Sequence, residues 1–234
     1  MRQIILDTET TGLDPRQGHR VIEIAGVEML NRRLTGAHFH RYLNPDRDIE
    51  EGALQVHGIT REFLQDKPRF GDIAAEFIEF LQGADLIIHN APFDTAFLNA
   101  ELALHGMEEL NSHCGEVVDT LLMARNLHPG QRNSLDALCK RYGVDNSTRT
   151  LHGALLDCEL LAQVYLSMTR GQETLIMEPS GTAGALARAA MNKQRPRPLP
   201  APLPEEDLAA HDALLRRVDK ESGGTCLWLK EQAD

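Results

Sequence analysis

The sequence lacks the features of several common protein classes. Its 234 residues include four cysteines, at 114, 139, 158 and 226, and no CxxC pair, which argues against a zinc finger or a disulfide framework. No stretch approaches about 18 consecutive apolar residues, so no membrane-spanning helix is predicted. The N-terminal residues carry an acid at position 7 and do not resemble a secretory signal. Together these absences predict a cytoplasmic protein.

Basic charge is also scarce, since 24 basic residues face 35 acidic ones and the net charge is −11. A broad basic face is therefore not expected, and a role on nucleic acid would need metal ions at the phosphates or a partner that holds the strand. The sequence contains neither a glycine-rich phosphate loop nor an HExxH pair. Its 42% hydrophobic and 25% charged residues support a packed core and exclude wholesale disorder.

Apolar patterning predicts an α/β fold over residues 3–169. Residues 3–7, 21–30 and 34–43 have the lengths and short connections of three antiparallel strands. Apolar spacing then predicts, in order, a helix at 70–81, a strand at 85–89 followed by a helix, a strand at 117–118, and helices at 120–127, 134–142 and 152–169. This order predicts a mixed sheet of about five strands flanked by helices.

The composition changes after residue 169. Five prolines fall between 196 and 204, so residues 178–204 are predicted to form a flexible, extended linker. Residues 205–219 have the pattern of one amphipathic helix, and the segment after it carries the only tryptophan, Trp228. The sequence therefore predicts a domain over 1–171 and a C-terminal tail.

Two acids at the end of the first strand are candidates for a site. Asp7 and Glu9 alternate along the strand, so both side chains project from one face of the sheet. Neighbouring carboxylates repel each other, which raises at least one pKa unless a cation neutralises them. A pair of turn-capping acids is the alternative interpretation.

Two further acids and a histidine lie at comparable positions. Asp94 follows the predicted strand at 85–89, where an acid is well placed for a site, although first-turn acids are also favoured by the helix dipole. Asp157 lies five residues after His152, and we expect both in one helix, facing the same region. Oxygen ligands without a thiolate favour Mg²⁺ or Mn²⁺ over zinc. His152 is then a candidate general base, or alternatively a core or capping histidine.

Three motifs occur in order, DTETTG at 7–12, HNAPFD at 89–94 and LHGALLD at 151–157. They resemble the three exonuclease motifs of the DEDD superfamily, and a histidine five residues before the last aspartate marks its histidine subclass. The segments VIEIAGVEMLNRRLTG, VHGIT, RNSLDALCKRY and SGGTCLW resemble the family of proofreading (epsilon) subunits of bacterial DNA polymerase III. The resemblance covers nearly the whole chain except the proline-rich linker.

The resemblance implies a ribonuclease-H-like exonuclease fold and a two-metal site. Two divalent cations, Mg²⁺ or Mn²⁺, would be held by four acids: Asp7, Glu9, Asp94 and Asp157. These four acids would also be catalytic, together with His152 as the general base. Substrate contacts are implied for Asp7, Thr8, Glu9, His57 and Asp157. Thr8 would act through its backbone, unless it is an ordinary strand residue. Some relatives carry an acid at the position of Gly52, where this chain has none.

The resemblance also implies partners for the tail. Residues 172–177 resemble a sliding-clamp-binding motif with Gln172, Leu175 and Met177 as anchors and Met177 in place of an aromatic residue; a frayed helix end is the alternative. Residues 205–234, with Leu227 and Trp228, would bind the polymerase catalytic (alpha) subunit. A small theta-like subunit is a further implied partner, and a single-stranded 3′ DNA end is the implied substrate. Tethering by such partners would compensate for the negative net charge.

The function that follows from the resemblance is a 3′–5′ DNA exonuclease that proofreads the primer terminus in the bacterial cytoplasm, at the replication fork. One alternative is a free-standing RNA-trimming exonuclease, which has no need of the linker and the clamp motif. The other is a non-enzymatic scaffold between clamp and polymerase, which has no need of the five clustered site residues.

Overall fold

The computed structural model describes residues 1–147, 149, 151–170, 205–224, 226 and 228. The chain divides into two units, Met1–Thr174 and Leu175–Asp234. The predicted clamp anchors Gln172, Leu175 and Met177, the proline-rich linker and Leu227 lie outside the described residues.

Five strands form one mixed sheet in the first unit: β1 (Arg2–Thr10), β2 (Val21–Leu30), β3 (Arg33–Tyr42), β4 (Asp85–Ile88) and β5 (Val117–Asp119). Their spatial order is β3-β2-β1-β4-β5. The first three strands form an antiparallel meander, whereas β4 pairs in parallel with both β1 and β5. Because β1 and β4 are parallel, their carboxyl ends meet at one edge of the sheet.

The described part of the first unit also contains these α-helices: α1 (Glu51–His57), α2 (Arg61–Leu64), α3 (Phe70–Leu81), α4 (Ala91–Leu104), α5 (Thr120–Leu127), α6 (Leu135–Tyr142) and α7 (Ala154–Met168). Helices α3 and α4 cover one face of the sheet, and α7 covers the other. Side chains alternate across β1, so Ile4 and Leu6 pack with α3 and α4, and Ile5 packs with α7. All three are fully buried, as expected for a strand with both faces covered.

The predicted mixed sheet is confirmed, with two local differences at the site. β1 runs on to Thr10 because Thr8 and Glu9 continue the pairing with β2. The last predicted helix starts at Ala154, two residues later than expected, because Gly153 has an extended backbone (φ −152°, ψ 125°). The expectation that His152 lies within that helix is therefore wrong, and Asp157 is in its first turn. The short helix α1 was not predicted.

The second unit contains one described helix, α8 (Glu205–Glu221), which confirms the helix predicted over 205–219. Its apolar side chains Leu208, Leu214 and Val218 are exposed, and the side chain of Trp228 is 70% exposed. In the described part of the chain, no helix is both long enough and apolar enough to cross a membrane.

Candidate active site

The carboxyl ends of β1 and β4 open into a cleft of about 930 Å³. β1 contributes Asp7 and Glu9, which alternate along the strand as expected and both line the cleft. Thr8, between them, donates two hydrogen bonds to Oδ1 of Asp94, from its N–H at 3.1 Å and from its hydroxyl at 2.7 Å. The Thr8 N–H is thus already occupied by a carboxylate.

Asp94 reaches the same cleft from the first turn of α4. Asn90 precedes this helix in the left-handed region, with φ 69°, and the chain turns sharply there from β4 into α4. The turn brings Asp94 back over the end of β1, where it is 3% exposed. The sheet thereby collects three carboxylates, from Asp7, Glu9 and Asp94, at one edge.

α7 supplies the fourth acid. Asp157 is 4% exposed, while the side chain of His152, in the loop before the helix, is 45% exposed in the cleft. One ligand atom from each of Glu9, His152 and Asp157 lies within 4.8 Å of the other two. The start of α7 is fixed by Glu23 on β2, whose buried carboxylate accepts the Ala154 N–H at 3.2 Å.

A cation already contacts the fourth acid. Arg149 forms two parallel bonds to Asp157, from Nε to Oδ1 at 2.5 Å and from Nη2 to Oδ2 at 2.7 Å. Nη2 also donates to Nδ1 of His152 at 2.7 Å, and Nη1 donates to Oδ1 of Asp136 at 2.8 Å. The Arg149 side chain is 5% exposed, so this cation is almost fully enclosed by its acceptors.

The acids differ in pKa accordingly. Burial, reinforced by the charges of Asp94 and Glu9, raises the pKa of Asp7 well above its usual range. Burial also raises the pKa of Glu9 to about 8, with the charges of Glu23 and Asp157 adding to it, and raises that of Asp94 to about 7 despite the hydrogen bonds from Thr8. For Asp157, burial would raise the pKa, but the contacts with Arg149 and His152 outweigh it and lower the pKa.

His57 lies on another wall of the cleft, at the end of α1. Its Nδ1 accepts the Ile59 N–H at 3.0 Å, so in the neutral ring the hydrogen is on Nε2. Among the described residues, this Nε2 is the buried side-chain polar atom without a hydrogen-bond partner. A buried donor without an acceptor is costly. Burial lowers the pKa of His57, and an interaction with the Thr10 backbone opposes that shift.

The loop that carries His152 packs directly on α1. The His152 N–H donates to the Val56 carbonyl at 3.1 Å. Gly58, which ends α1 with φ 71°, leaves room for Leu151, because an added Cβ would lie 2.6 Å from Leu151 Cδ1. Glycine is therefore favoured at position 58 by its left-handed backbone, and a larger residue there would displace the Leu151 side chain.

The donor set fits a hard divalent cation. Carboxylate oxygens are ligands suited to Mg²⁺ or Mn²⁺, and the buried Cys158 sulfur instead donates to the Ala25 carbonyl at 3.4 Å. Burial and mutual repulsion raise the pKa of Asp7 and Glu9, and burial raises that of Asp94, so ionisation of these acids is unfavourable unless cations compensate their charge.

The structure brings all the sequence-predicted catalytic and substrate-binding residues to this cleft: Asp7, Thr8, Glu9, His57, Asp94, His152 and Asp157. Sequence reasoning missed Glu23 and Arg149. Glu23 could have been noticed as an acid in the otherwise apolar run VIEIAG. Nothing in the sequence distinguishes Arg149 from the other basic residues except its position eight residues before Asp157.

Comparisons with known proteins agree with this geometry. A family model described as Exonuclease matches residues 4–165. DNA polymerase III subunit epsilon of Pasteurella multocida (strain Pm70) is 48% identical over 244 residues, covering 100% of this chain and 95% of the relative. The protein of the same name from Escherichia coli (strain K12) is 48% identical over 239 residues, covering 97% of each.

Solved structures are similar as well. Exonuclease X in complex with 5′ overhanging duplex DNA is 28% identical, with a TM-score of 0.56, over 71% of this chain and 90% of that one. The nuclease domain of 3′hExo, a DEDDh family member bound to rAMP, is 20% identical, with a TM-score of 0.61 and the same coverage. The second similarity is evidence for the fold alone, and it confirms the exonuclease fold.

Proposed function

We propose a reaction mechanism from the premise that the chain belongs to the exonuclease family, and within it to the DNA polymerase III epsilon subunits. The protein is a 3′–5′ exonuclease of the proofreading type. The mechanism is hydrolysis of the 3′-terminal phosphodiester of a DNA strand in the cleft at the end of β1, releasing nucleoside monophosphates.

Four carboxylates would hold two divalent cations, either Mg²⁺ or Mn²⁺: Asp7, Glu9, Asp94 and Asp157. When bound, such cations stabilise negative charge on the phosphate and lower the pKa of water. Thr8 keeps the Asp94 carboxylate oriented over the end of β1 through its two hydrogen bonds. The single observation that carries the proposal is this convergence of four acids in one cleft, three of them with a raised pKa.

Two histidines act on the substrate side. His152 takes the proton of the attacking water, since its side chain is the most exposed among the catalytic group and lies beside Glu9 and Asp157. His57 donates its Nε2–H to the terminal nucleotide, which provides the acceptor that this buried atom lacks.

Proofreading is tested by the state of the primer end. A terminal nucleotide must leave the duplex to enter the cleft, and a mismatch lowers the unpairing cost by about a few kcal/mol. With the isolated protein we expect mispaired 3′ ends to be cut faster than paired ends in a quenched-flow assay. Equal rates on the two ends would contradict selection by unpairing.

The tail is proposed to attach the exonuclease to the replication machinery. Trp228 is exposed, and tryptophan is enriched among residues that dominate interfaces. We propose that residues 205–234 bind the polymerase alpha subunit, that Gln172, Leu175 and Met177 bind the sliding clamp, and that a theta-like subunit binds the exonuclease unit. With these partners, the proposed site of action is the replication fork in the cytoplasm.

A truncation tests the attachment by the tail. A chain ending near Gly171 should keep full activity on short oligonucleotides and lose binding to the alpha subunit in a pull-down. Trp228→Ala in the full chain should weaken that binding and leave the nuclease rate unchanged. A truncated chain that binds as tightly as the full chain would contradict the proposed tether.

A further inference from the structure

Arg149 occupies a position in the cleft that the proposed mechanism does not use. It binds Asp157, His152 and Asp136 at once, and its side chain is almost fully buried among them. In the proposed function Asp157 is a metal ligand and His152 is the base. Arg149 is therefore hydrogen-bonded both to a proposed metal ligand, Asp157, and to the proposed general base, His152.

The bond to His152 fixes the state of the imidazole ring. An arginine can only donate hydrogen bonds, so Nδ1 of His152 is the acceptor at 2.7 Å. A neutral imidazole carries its single hydrogen on the other nitrogen, Nε2. With Arg149 in place, both ring nitrogens are occupied, and His152 has no free lone pair with which to take a proton from water.

The geometry offers a second arrangement of the same residues. Nδ1 of His152 lies 3.3 Å from Oδ2 of Asp157. Once the Arg149 guanidinium leaves, Nδ1 can carry the hydrogen and donate it to Asp157, and the proton on Nε2 can exchange with solvent because the ring is half exposed. The lone pair of Nε2 is then free, as a general base requires.

Arg149 also has an anchor away from the acids. Asp136, in the first turn of α6, accepts its Nη1 at 2.8 Å and has a side chain that is 57% exposed. This contact does not involve Asp157, so the guanidinium can stay attached to α6 while its other nitrogens move. A bidentate arginine–carboxylate pair is strong but reversible, and a divalent cation competes for the same oxygens.

We propose that Arg149 is a positioning residue that competes with a divalent cation for Asp157, so that cation binding moves the guanidinium away and releases the lone pair of His152. Arg149 thus neutralises Asp157 and keeps His152 inactive while no cation is bound, and it couples occupation of the site to activation of the base. This inference rests on the proposed metal site.

Metal affinity tests the competition, because its sign is diagnostic. We would titrate Mn²⁺ into the full-length wild-type protein and into Arg149→Ala by calorimetry. Loss of a competing charged hydrogen-bonded pair should tighten Mn²⁺ binding roughly tenfold or more. An arginine that merely supports the ligands would give the opposite result, since loss of a supporting contact weakens metal binding roughly 10–100-fold.

Two further variants separate competition from general charge and from folding defects. Arg125→Ala removes a positive charge from the same cleft, and no described ion pair joins Arg125 to an acid, so its Mn²⁺ affinity should change far less. Arg149→Met keeps much of the side-chain volume without a charge or a hydrogen-bond donor, so it should also tighten Mn²⁺ binding with the fold intact.

The imidazole gives an independent readout. In ¹⁵N NMR spectra of the metal-free protein, His152 should carry its hydrogen on Nε2 in the wild type and shift it toward Nδ1 in both Arg149→Ala and Arg149→Met. Unchanged or weaker Mn²⁺ binding in both variants would overturn the competition while leaving the proposed site in place. A wild-type protein that binds no Mn²⁺ at all would overturn both.

Discussion

The acids on the two sides of the cleft differ in how their negative charge is compensated. On the sheet side, Glu9 and Asp94 are buried and Asp7 is partly buried. No ion pair among the described residues joins them to a cation, and the pKa of each is raised. On the helix side, Asp157 is also buried, but Arg149 contacts it, and the pKa of Asp157 is lowered. The acids on the sheet side are thus neutralised by bound protons or by added cations, whereas the acid on the helix side is neutralised by Arg149.

The largest effect is expected from removing a sheet-side acid. Asp7→Asn should reduce nucleotide release at least about 10⁴-fold, because several kcal/mol of transition-state stabilisation depend on the bound metals and each 1.4 kcal/mol is tenfold. In chelator the same variant should unfold at a higher temperature than the wild type, since one repelling carboxylate is gone. Single-turnover hydrolysis and thermal melts measure the two effects, and hydrolysis at the wild-type rate would refute the role of Asp7.

The second largest effect is expected at His152, which lies on the helix side but belongs to the catalytic group. His152→Ala should slow hydrolysis roughly 10²–10⁴-fold, the usual contribution of a general base. Magnesium binding should remain nearly unchanged. Loss of magnesium binding in calorimetry would instead make His152 a ligand.

The third effect concerns His57, which belongs to neither side. Without its Nε2–H, His57→Ala should lower kcat/KM roughly tenfold, the contribution of one hydrogen bond to a charged group. His57→Gln, which keeps a donor near the same position, should recover part of the loss. Equal values for both variants would mean that the unpartnered donor does not bind the substrate.

The smallest effect is a pH dependence of stability without metal. The folded chain keeps protons on Glu9 up to about pH 8 and on Asp94 up to about pH 7, although the unfolded chain releases both near their ordinary values. The folded state therefore binds more protons in this window, and stability falls as pH rises through it. Each 1 kcal/mol lost would lower Tm by about 2–4 °C. Melts at pH 5 and pH 8 should differ in chelator and converge with Mg²⁺; a Tm that rises with pH in chelator would contradict the assignment.

The sequence predicted the sheet side better than the helix side. Asp7 and Glu9 follow from strand alternation, and Asp94 from its position after β4, because these placements depend on local periodicity and on the parallel pairing of β1 with β4. Arg149 lies in the loop between α6 and α7, where no periodicity constrains a side chain. Its contacts depend on how α6 and α7 pack, which local patterns do not contain.

The start of α7 also could not be predicted from local sequence patterns. Glycine at 153 gave no clear boundary signal in the sequence, and the buried Glu23 that caps the helix comes from β2, 131 residues away from its partner Ala154. The difference of two residues at the helix start decides whether His152 lies on α7 or in the loop against α1.

Metal-dependent cleavage of a mispaired DNA end is a direct test of both the carboxylate–metal site and proofreading. The full-length protein would be given a 5′-labelled primer with a mispaired 3′ terminus and an RNA strand of the same sequence, with Mg²⁺ or with chelator. We expect stepwise loss of 3′ nucleotides from DNA with Mg²⁺ and no loss of nucleotides in chelator. Nucleotides should be lost more slowly from RNA. Cleavage that persists in chelator would contradict the carboxylate–metal site, and faster trimming of RNA would contradict proofreading.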